Sequence, residues 1–179
     1  MTAHEPCEAM LTGGHPNSLG RTIEVVATID ADPTLLQELV DCYFSSDEVV
    51  RLRVSSAMKR TWRAHPDWVI PYIDRFLTEI ARIPQASTQW TLATLFLELD
   101  AHLTPEQRRA AVSLLQRNLE SWDDWIVLNN TMETLSVWAQ QDADLRAWLL
   151  PHLDARATDS RKSVAARAQK FRAMLLKAK

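Results

Sequence analysis

The sequence predicts an all-α protein, built as an α-solenoid of stacked antiparallel helical hairpins. From Leu19 onward, apolar residues recur every three or four positions, which is the spacing of one face of a helix. An N-cap residue followed by proline marks a helix start at Asp32-Pro33 and again at Thr104-Pro105. No segment alternates apolar and polar residues along the length of a strand, and no Asn-Gly hairpin dipeptide occurs. Helices must therefore supply the core.

The size and composition of the chain exclude several classes of protein. A chain of 179 residues can bury a core without disulfides or a structural metal. The three glycines lie between Gly13 and Gly20, which excludes a glycine-rich phosphate-binding loop from the rest of the chain. Cys7 and Cys42 match no CxxC pattern and indicate free thiols in a reducing compartment. No apolar run approaches roughly 18 residues and no secretory signal is recognisable, so we expect a cytoplasmic protein with no membrane partner.

Charge is unevenly distributed, although the net charge is only −3. Residues 1–50 contain one basic residue and nine acidic residues, whereas residues 151–179 contain eight basic residues and two acidic residues. Such a dipolar surface could steer a charged partner towards the protein. Head-to-tail self-association or ordinary solvated faces explain the same pattern equally well.

Residues 1–17 are expected to form a flexible leader. The Gly13-Gly14 pair and two prolines interrupt any helical periodicity in this stretch. His4 and Cys7 have an HxxC spacing, but two potential ligands in a flexible tail are weak evidence for a metal site. We therefore expect no metal there.

The remaining elements follow from apolar periodicity and start signals. A solitary helix near residues 19–30 is predicted to cap the array. Ser45 and Glu48 have the spacing of a capping box and begin a long helix, and Ser121 and Asp124 begin another. Four hairpins are expected, at residues 33–63, 67–101, 105–140 and 143–177.

Two segments of the chain match each other closely. Residues 68–74 read Trp-Val-Ile-Pro-Tyr-Ile-Asp, and residues 148–154 read Trp-Leu-Leu-Pro-His-Leu-Asp. A proline within an apolar helix removes a hydrogen bond and kinks the helix, so its recurrence between the same neighbours indicates a repeat. A period near 40 residues is typical of stacked hairpins that complete one another's core. The second helices also align, at separations of 40, 37 and 37 residues, on Val50, Trp90, Val127 and Val164.

These segments resemble the HEAT-repeat family of α-solenoid proteins. Asp47 lies three residues before Val50 and Arg51 follows it, which is similar to a HEAT second helix, and the proline of the first helix is similar too. The resemblance covers almost the whole chain, although the third repeat lacks the internal proline and has Leu128 in place of the arginine. It implies a single HEAT-like repeat domain over residues 18–179, with about four repeats behind an N-terminal capping helix.

The resemblance also implies where a partner would bind. Second helices line the concave face of HEAT-like solenoids, and partners usually dock on that face. A mixed polar column with an exposed phenylalanine suits a protein surface, and an ordinary solvated face is the alternative interpretation. Two columns aligned on Val50 supply the candidate partner-binding residues, namely Arg53, Phe96, Asn130, Glu133, Arg167 and Lys170.

A second, more distant resemblance concerns the HEAT-like bacterial alkylpurine DNA glycosylases. In that family a catalytic aspartate lies one helical turn after a tryptophan, and here Asn129 lies one turn after Trp125. An amide cannot supply the negative charge that would stabilise an oxocarbenium-like sugar, so glycosylase activity is not expected. Asp123 and Asp124 are better interpreted as acids that begin a helix and face its dipole.

The sequence therefore favours a non-enzymatic scaffold or adaptor whose partner is another protein. No HExxH motif, no GxSxG motif and no His-Glu pair on the repeats occurs, so we expect no catalytic residue and no cofactor. The charged pairs Lys59-Arg60 and Arg108-Arg109 are interpreted as exposed surface residues. The alternative is a nucleic-acid-binding relative of the HEAT-like glycosylases without their chemistry, in which the basic residues of the last helix contact phosphates.

Overall fold

The computed structural model describes residues 4–177, and the regular elements in that range are all helical, which confirms the all-α prediction. Short 3₁₀ turns at residues 33–35, 42–44, 70–72, 80–82 and 100–102 connect or extend the α-helices. Across residues 4–177, no helix has both the length and the apolar character needed to span a bilayer. The α-helices are α1 (Cys7–Leu11), α2 (Thr22–Ala31), α3 (Leu36–Asp41), α4 (Glu48–Ala64), α5 (Pro66–Val69), α6 (Ile73–Thr78), α7 (Ala86–Glu98), α8 (Pro105–Ser121), α9 (Trp125–Ala139), α10 (Ala143–Arg156) and α11 (Lys162–Lys177).

The helices form two compact units. The N-terminal unit extends to Thr91, and the C-terminal unit begins at Leu92. The single HEAT-like domain over residues 18–179 stays a prediction, as does the solenoid. Each unit has one long helix that contacts most of the others, and each is described in turn.

Helix α4 is the centre of the N-terminal unit. The Asp47 carboxylate caps its start by accepting a hydrogen bond from the Val49 backbone N–H at 2.8 Å. Helix α4 packs against α1, α2, α3 and α5. Full burial of a large apolar side chain such as valine or methionine contributes roughly 1.5–3 kcal/mol. The buried apolar stripe of α4 consists of Val50, Val54, Ala57, Met58 and Trp62.

The leader differs from the expectation of a flexible segment. Residues 1–3 lie outside the described residues, but residues 7–11 form α1, which packs against α2 and α4. Cys7, Met10 and Leu11 are buried. These three residues have the i, i+3, i+4 spacing of a helix face, and one turn of apolar residues is enough to attach α1 to the core.

Both cysteines are free thiols, as predicted, and both are buried. Burial, reinforced by the nearby Glu38 carboxylate, raises the pKa of Cys7 to about 12. Burial also raises the pKa of Cys42 to about 12. At neutral pH both thiols are therefore protonated and weakly nucleophilic.

The two proline segments behave differently, although their sequences match. Around Pro71 the chain is divided into α5, a 3₁₀ turn over Ile70–Tyr72, and α6. Around Pro151, in contrast, α10 continues from Ala143 to Arg156. A proline within a helix removes one backbone hydrogen bond in either case, and the chain either kinks or breaks there.

Helix α9 occupies the corresponding place in the C-terminal unit. It packs against α8, α10 and α11, and α10 also packs against α11. Helix α8 begins at the predicted Thr104-Pro105 signal, and a complete capping box forms between Thr104 and Gln107. Helix α9 is capped by Asp124, whose carboxylate accepts hydrogen bonds from the backbone N–H groups of Ile126 at 2.8 Å and Val127 at 3.0 Å.

The capping role of Asp124 leads to a stability prediction. Asp124→Ala leaves two N–H groups of α9 without their acceptor, so we expect a loss of about 1 kcal/mol in the free energy of unfolding. Urea denaturation followed by circular dichroism measures it. Asp123→Ala is the matched control, because the Asp123 side chain is 90% exposed. Its loss should stay below about 0.5 kcal/mol, and an equal loss in both variants would contradict the assignment.

Candidate binding groove

A buried arginine attaches the leader to α4. Arg53 is only 2% exposed. Its guanidinium donates hydrogen bonds to the backbone carbonyls of Leu11 at 2.6 Å, Gly13 at 2.5 Å, His15 at 3.1 Å and Ser18 at 3.2 Å. Guanidinium offers five N–H donors in a planar fork, which suits a ring of carbonyl oxygens. We call this arrangement the Arg53 clamp.

Two glycines allow the leader to approach the clamp closely. Gly20 has a φ of 51°, and a Cβ atom at this position would lie 2.8 Å from Arg53 Cζ. Gly13, whose carbonyl accepts from the guanidinium, has a φ of 78°. Both backbone conformations favour glycine, since other residues adopt a positive φ only with strain. Gly13 and Gly20 therefore permit the close contacts of the Arg53 clamp.

The clamped leader forms one wall of a groove along α4. The volume of the groove is about 760 Å³, within the usual range for ligand sites. We call it the α4 groove. One wall is residues 16–19, at the end of the leader and directly after it. The remaining lining residues are Leu52, Arg53, Ser55, Ser56, Lys59, Arg60 and Arg63 of α4 and Trp90 of α7.

The α4 groove is positively charged. Lys59, Arg60 and Arg63 project from adjacent turns of α4, and Arg60 is held against the helix by hydrogen bonds to Ser56 at 2.7 and 3.0 Å. Within the described chain, no residue that lines the groove is an aspartate, a glutamate, a histidine or a cysteine. The lining therefore attracts anions and offers no carboxylate, imidazole or thiol for acid–base or nucleophilic chemistry.

Two of the sequence-predicted site residues are not at a surface. Arg53 is buried in the clamp, and Phe96 is fully buried in the core of the C-terminal unit. Phe96 cannot contact a partner, and Arg53, although it borders the α4 groove, is occupied by the carbonyls of the clamp, which corrects their assignment as exposed partner-binding residues. The cause is the same in both cases: the column chosen as exposed faces the interior of its unit at these positions.

The other predicted residues lie in the C-terminal unit and are partly or fully exposed. Arg167 and Glu133 form an ion pair with an N–O distance of 2.9 Å. Asn130 donates a hydrogen bond to Thr94 Oγ1 at 3.2 Å, and the Lys170 ammonium lies 5.6 Å from the centre of the Phe171 ring. The structure thus brings Glu133 and Arg167 together, as a neutralised pair.

Four of the eight basic residues near the C-terminus, all of them arginines, are paired with carboxylates. Arg161 lies 2.8 Å from Asp159 and 3.0 Å from Asp123. Hydrogen bonds from its side chain and backbone hold the pKa of Asp159 well below the usual range. Arg156 also contacts Asp159, and Arg172 pairs with Asp154. Four arginines at the end of the chain, counting Arg167, are therefore compensated locally.

The tryptophan–asparagine pair of α9 carries no catalytic geometry. Trp125 is 50% exposed, whereas Asn129 is only 4% exposed and lies inside the unit. Asp124 is occupied as the cap of α9, which confirms its interpretation as a helix-start acid. The carboxylate that a glycosylase needs is therefore not supplied by these residues.

Sequence reasoning missed the groove, although its signals are present in the sequence. Ser56, Lys59, Arg60 and Arg63 lie at i, i+3, i+4 and i+7 along α4, which places them on one helix face. The sequence alone indicates ordinary surface residues at Lys59 and Arg60, because it predicts a flexible leader and no opposite wall. The polar face of α4 is recognisable from sequence, but the wall is not.

Comparisons with known proteins do not assign the chain to a family. No protein-family model matches the chain, and searches of curated proteins and of solved structures found no significant match.

The Arg53 clamp yields a second stability prediction. In Arg53→Met the apolar stem is retained and four carbonyls lose their donor, so we expect a loss of about 3 kcal/mol in the free energy of unfolding. We also expect limited proteolysis to cleave within residues 11–20 before the rest of the chain. Arg60→Met, on the same helix, is the control and should lose less than about 1 kcal/mol. Wild-type protease resistance of the leader in Arg53→Met would refute the clamp.

Proposed function

We propose that this chain is a non-enzymatic, cytoplasmic protein-binding scaffold of HEAT-like hairpins, which binds an acidic segment of another protein in the α4 groove. The observation that carries the proposal is the groove's charge: Lys59, Arg60 and Arg63 line it without any carboxylate among the described lining residues. The resemblance to HEAT-repeat proteins supports the scaffold role, and the free thiols agree with a reducing compartment.

The lining also favours a peptide over a simple anion. Leu19, Leu52 and Trp90 add apolar surface beside the three cations. An acidic peptide that carries an apolar side chain can satisfy both, because its carboxylates accept charge-assisted hydrogen bonds while the apolar group packs against Trp90. Serine hydroxyls and Asn17 along the lining offer further hydrogen bonds to a peptide backbone.

A nucleic acid is the less favoured partner. Binding to a duplex requires many cations along the phosphate backbone. The basic residues near the C-terminus, on which that alternative depends, include four arginines already paired with carboxylates. A short row of three cations suits a compact acidic segment better than an extended polyanion.

Fluorescence anisotropy with the full chain tests the proposal. The probe is a short labelled peptide of Glu, Leu and Phe, and its matched control has Gln in place of every Glu. We expect saturable binding of the acidic peptide, weaker binding of the Gln peptide, and loss of affinity as salt rises. In Lys59→Glu/Arg63→Glu, affinity should fall at least about tenfold, because reversal replaces attraction by repulsion.

A second double variant controls for total charge. Lys162→Glu/Lys170→Glu makes the same change in net charge on exposed lysines of α11 and should leave peptide affinity unchanged. Equal binding of the Glu and Gln peptides, or equal loss in both double variants, would refute the groove as the site. Tighter binding of labelled DNA than of the acidic peptide, lost in Lys59→Glu/Arg63→Glu, would favour the nucleic-acid alternative instead.

A further inference from the structure

Three potential metal ligands from distant parts of the chain meet at the base of the leader. They are the imidazole of His4, the thiol of Cys7 and the carboxylate of Glu38 on α3. One ligand atom from each lies within 4.8 Å of the other two. The HxxC pair alone is weak evidence for a metal, but Glu38 adds a third ligand that only the fold brings near.

The carboxylate of Glu38 is oriented by the leader. Its Oε1 atom accepts a hydrogen bond from the Cys7 backbone N–H at 2.5 Å, and its Oε2 atom lies 3.0 Å from His4 Nε2. Tetrahedral zinc, with metal–ligand distances of about 2.0–2.1 Å to nitrogen and oxygen, separates such ligand atoms by about 3.3 Å. The His4 and Glu38 atoms already lie near that separation, and the Cys7 sulfur, within 4.8 Å of both, would complete the site by a further approach of the three side chains. The hydrogen bond to Oε1 is the kind of outer contact that orients a ligating carboxylate.

We propose that His4, Cys7 and Glu38 form a binding site for a zinc-class divalent ion, with solvent water in the fourth position. The ligand types support this class, because a thiolate and an imidazole favour zinc and related transition metals over calcium or magnesium. A bound dication deprotonates a ligating thiol, so the Cys7 proton passes to solvent when the ion binds.

Two of the three residues are accessible to solvent and the third is buried, so an ion could reach the site from one side. Cys7 is fully buried, whereas the side chains of His4 and Glu38 are each 35% exposed. The ion would enter from solvent between His4 and Glu38 and meet the thiol at the inner end. Glu38 lies 34 residues after His4, so the ion would join the start of the leader to α3 and restrict the unfolded chain as a cross-link does.

The site is independent of the α4 groove. Residues 16–19 form the groove wall and are attached by the Arg53 clamp, not by His4, Cys7 or Glu38. A failure of metal binding would leave the groove proposal intact, and a failure of peptide binding would leave the metal site intact.

Zinc titration of the full chain tests the site, with Zn²⁺ competed against a chromogenic chelator. We expect one tight equivalent of Zn²⁺ and an increase in the melting temperature with added Zn²⁺. His4→Ala and Glu38→Gln alter partly exposed side chains and should fold normally, yet each should lose at least about tenfold in affinity and lose the shift in melting temperature. Cys42→Ser is the matched control for a buried thiol outside the cluster and should retain binding.

Cobalt substitution identifies the thiol ligand. Co²⁺ bound to the wild-type chain should give a near-ultraviolet thiolate-to-metal charge-transfer band that is absent in Cys7→Ser and present in Cys42→Ser. The proposal is overturned if Zn²⁺ binds without regard to His4 and Glu38, which would mean adventitious binding at other side chains. It is equally overturned if no tight equivalent binds, which would leave a hydrogen-bonded cluster only.

Discussion

The buried guanidinium of Arg53 is the interaction on which the N-terminal unit depends. A buried cation usually requires a carboxylate partner. Here four backbone carbonyls of the leader and the loop after it provide the compensation instead. This arrangement fixes the path of the leader from the end of α1 to Ser18 with a single side chain. The guanidinium also restricts the residue type at position 20 to glycine, because a Cβ atom there would collide with it. Since the acceptors are backbone groups, the leader's side chains are free to line the α4 groove.

The two units use their positive charge differently. In the C-terminal unit, arginines on or near α11 pair with carboxylates, so their contribution is mainly to the unit's own surface, where such pairs are each worth at most about 1 kcal/mol. In the N-terminal unit, Lys59, Arg60 and Arg63 face a groove whose described lining has no acid. A lining without acidic residues adds no local repulsion against an anionic ligand. This difference is why we propose the α4 groove, and not the more basic C-terminal helix, as the site for an anionic partner.

Sequence reasoning recovered what depends on local chemistry. Helical periodicity predicts the class, and the Thr104-Pro105 signal predicts the start of α8 correctly. The predicted caps Ser45 and Ser121 are wrong, since Asp47 and Asp124, two and three residues later, cap α4 and α9. Sequence reasoning did not recover which face of a helix is covered by a segment remote in sequence. Arg53 looks like a surface residue on a helical wheel, and it becomes buried only because the leader, more than thirty positions earlier, covers it. Phe96 and Glu38 illustrate the same limit. The burial of Phe96 and the proximity of Glu38 to Cys7 both result from packing between elements.

The acidic residues near the N-terminus are not all available to a partner, although the sequence shows a large excess of them. Most of the nine acids in residues 1–50 already have partners in the structure. Asp32 and Asp47 cap helices, Glu5 and Glu24 bind Arg21, and Asp41 binds Arg75. The same holds for the arginines near the other end of the chain. These contacts fix the positions of the acids but leave residues 1–50 with a net negative charge, whose field physiological salt screens beyond about 8 Å. Recognition of a charged partner must then depend on short-range complementarity, which a walled groove provides and an open helix face does not.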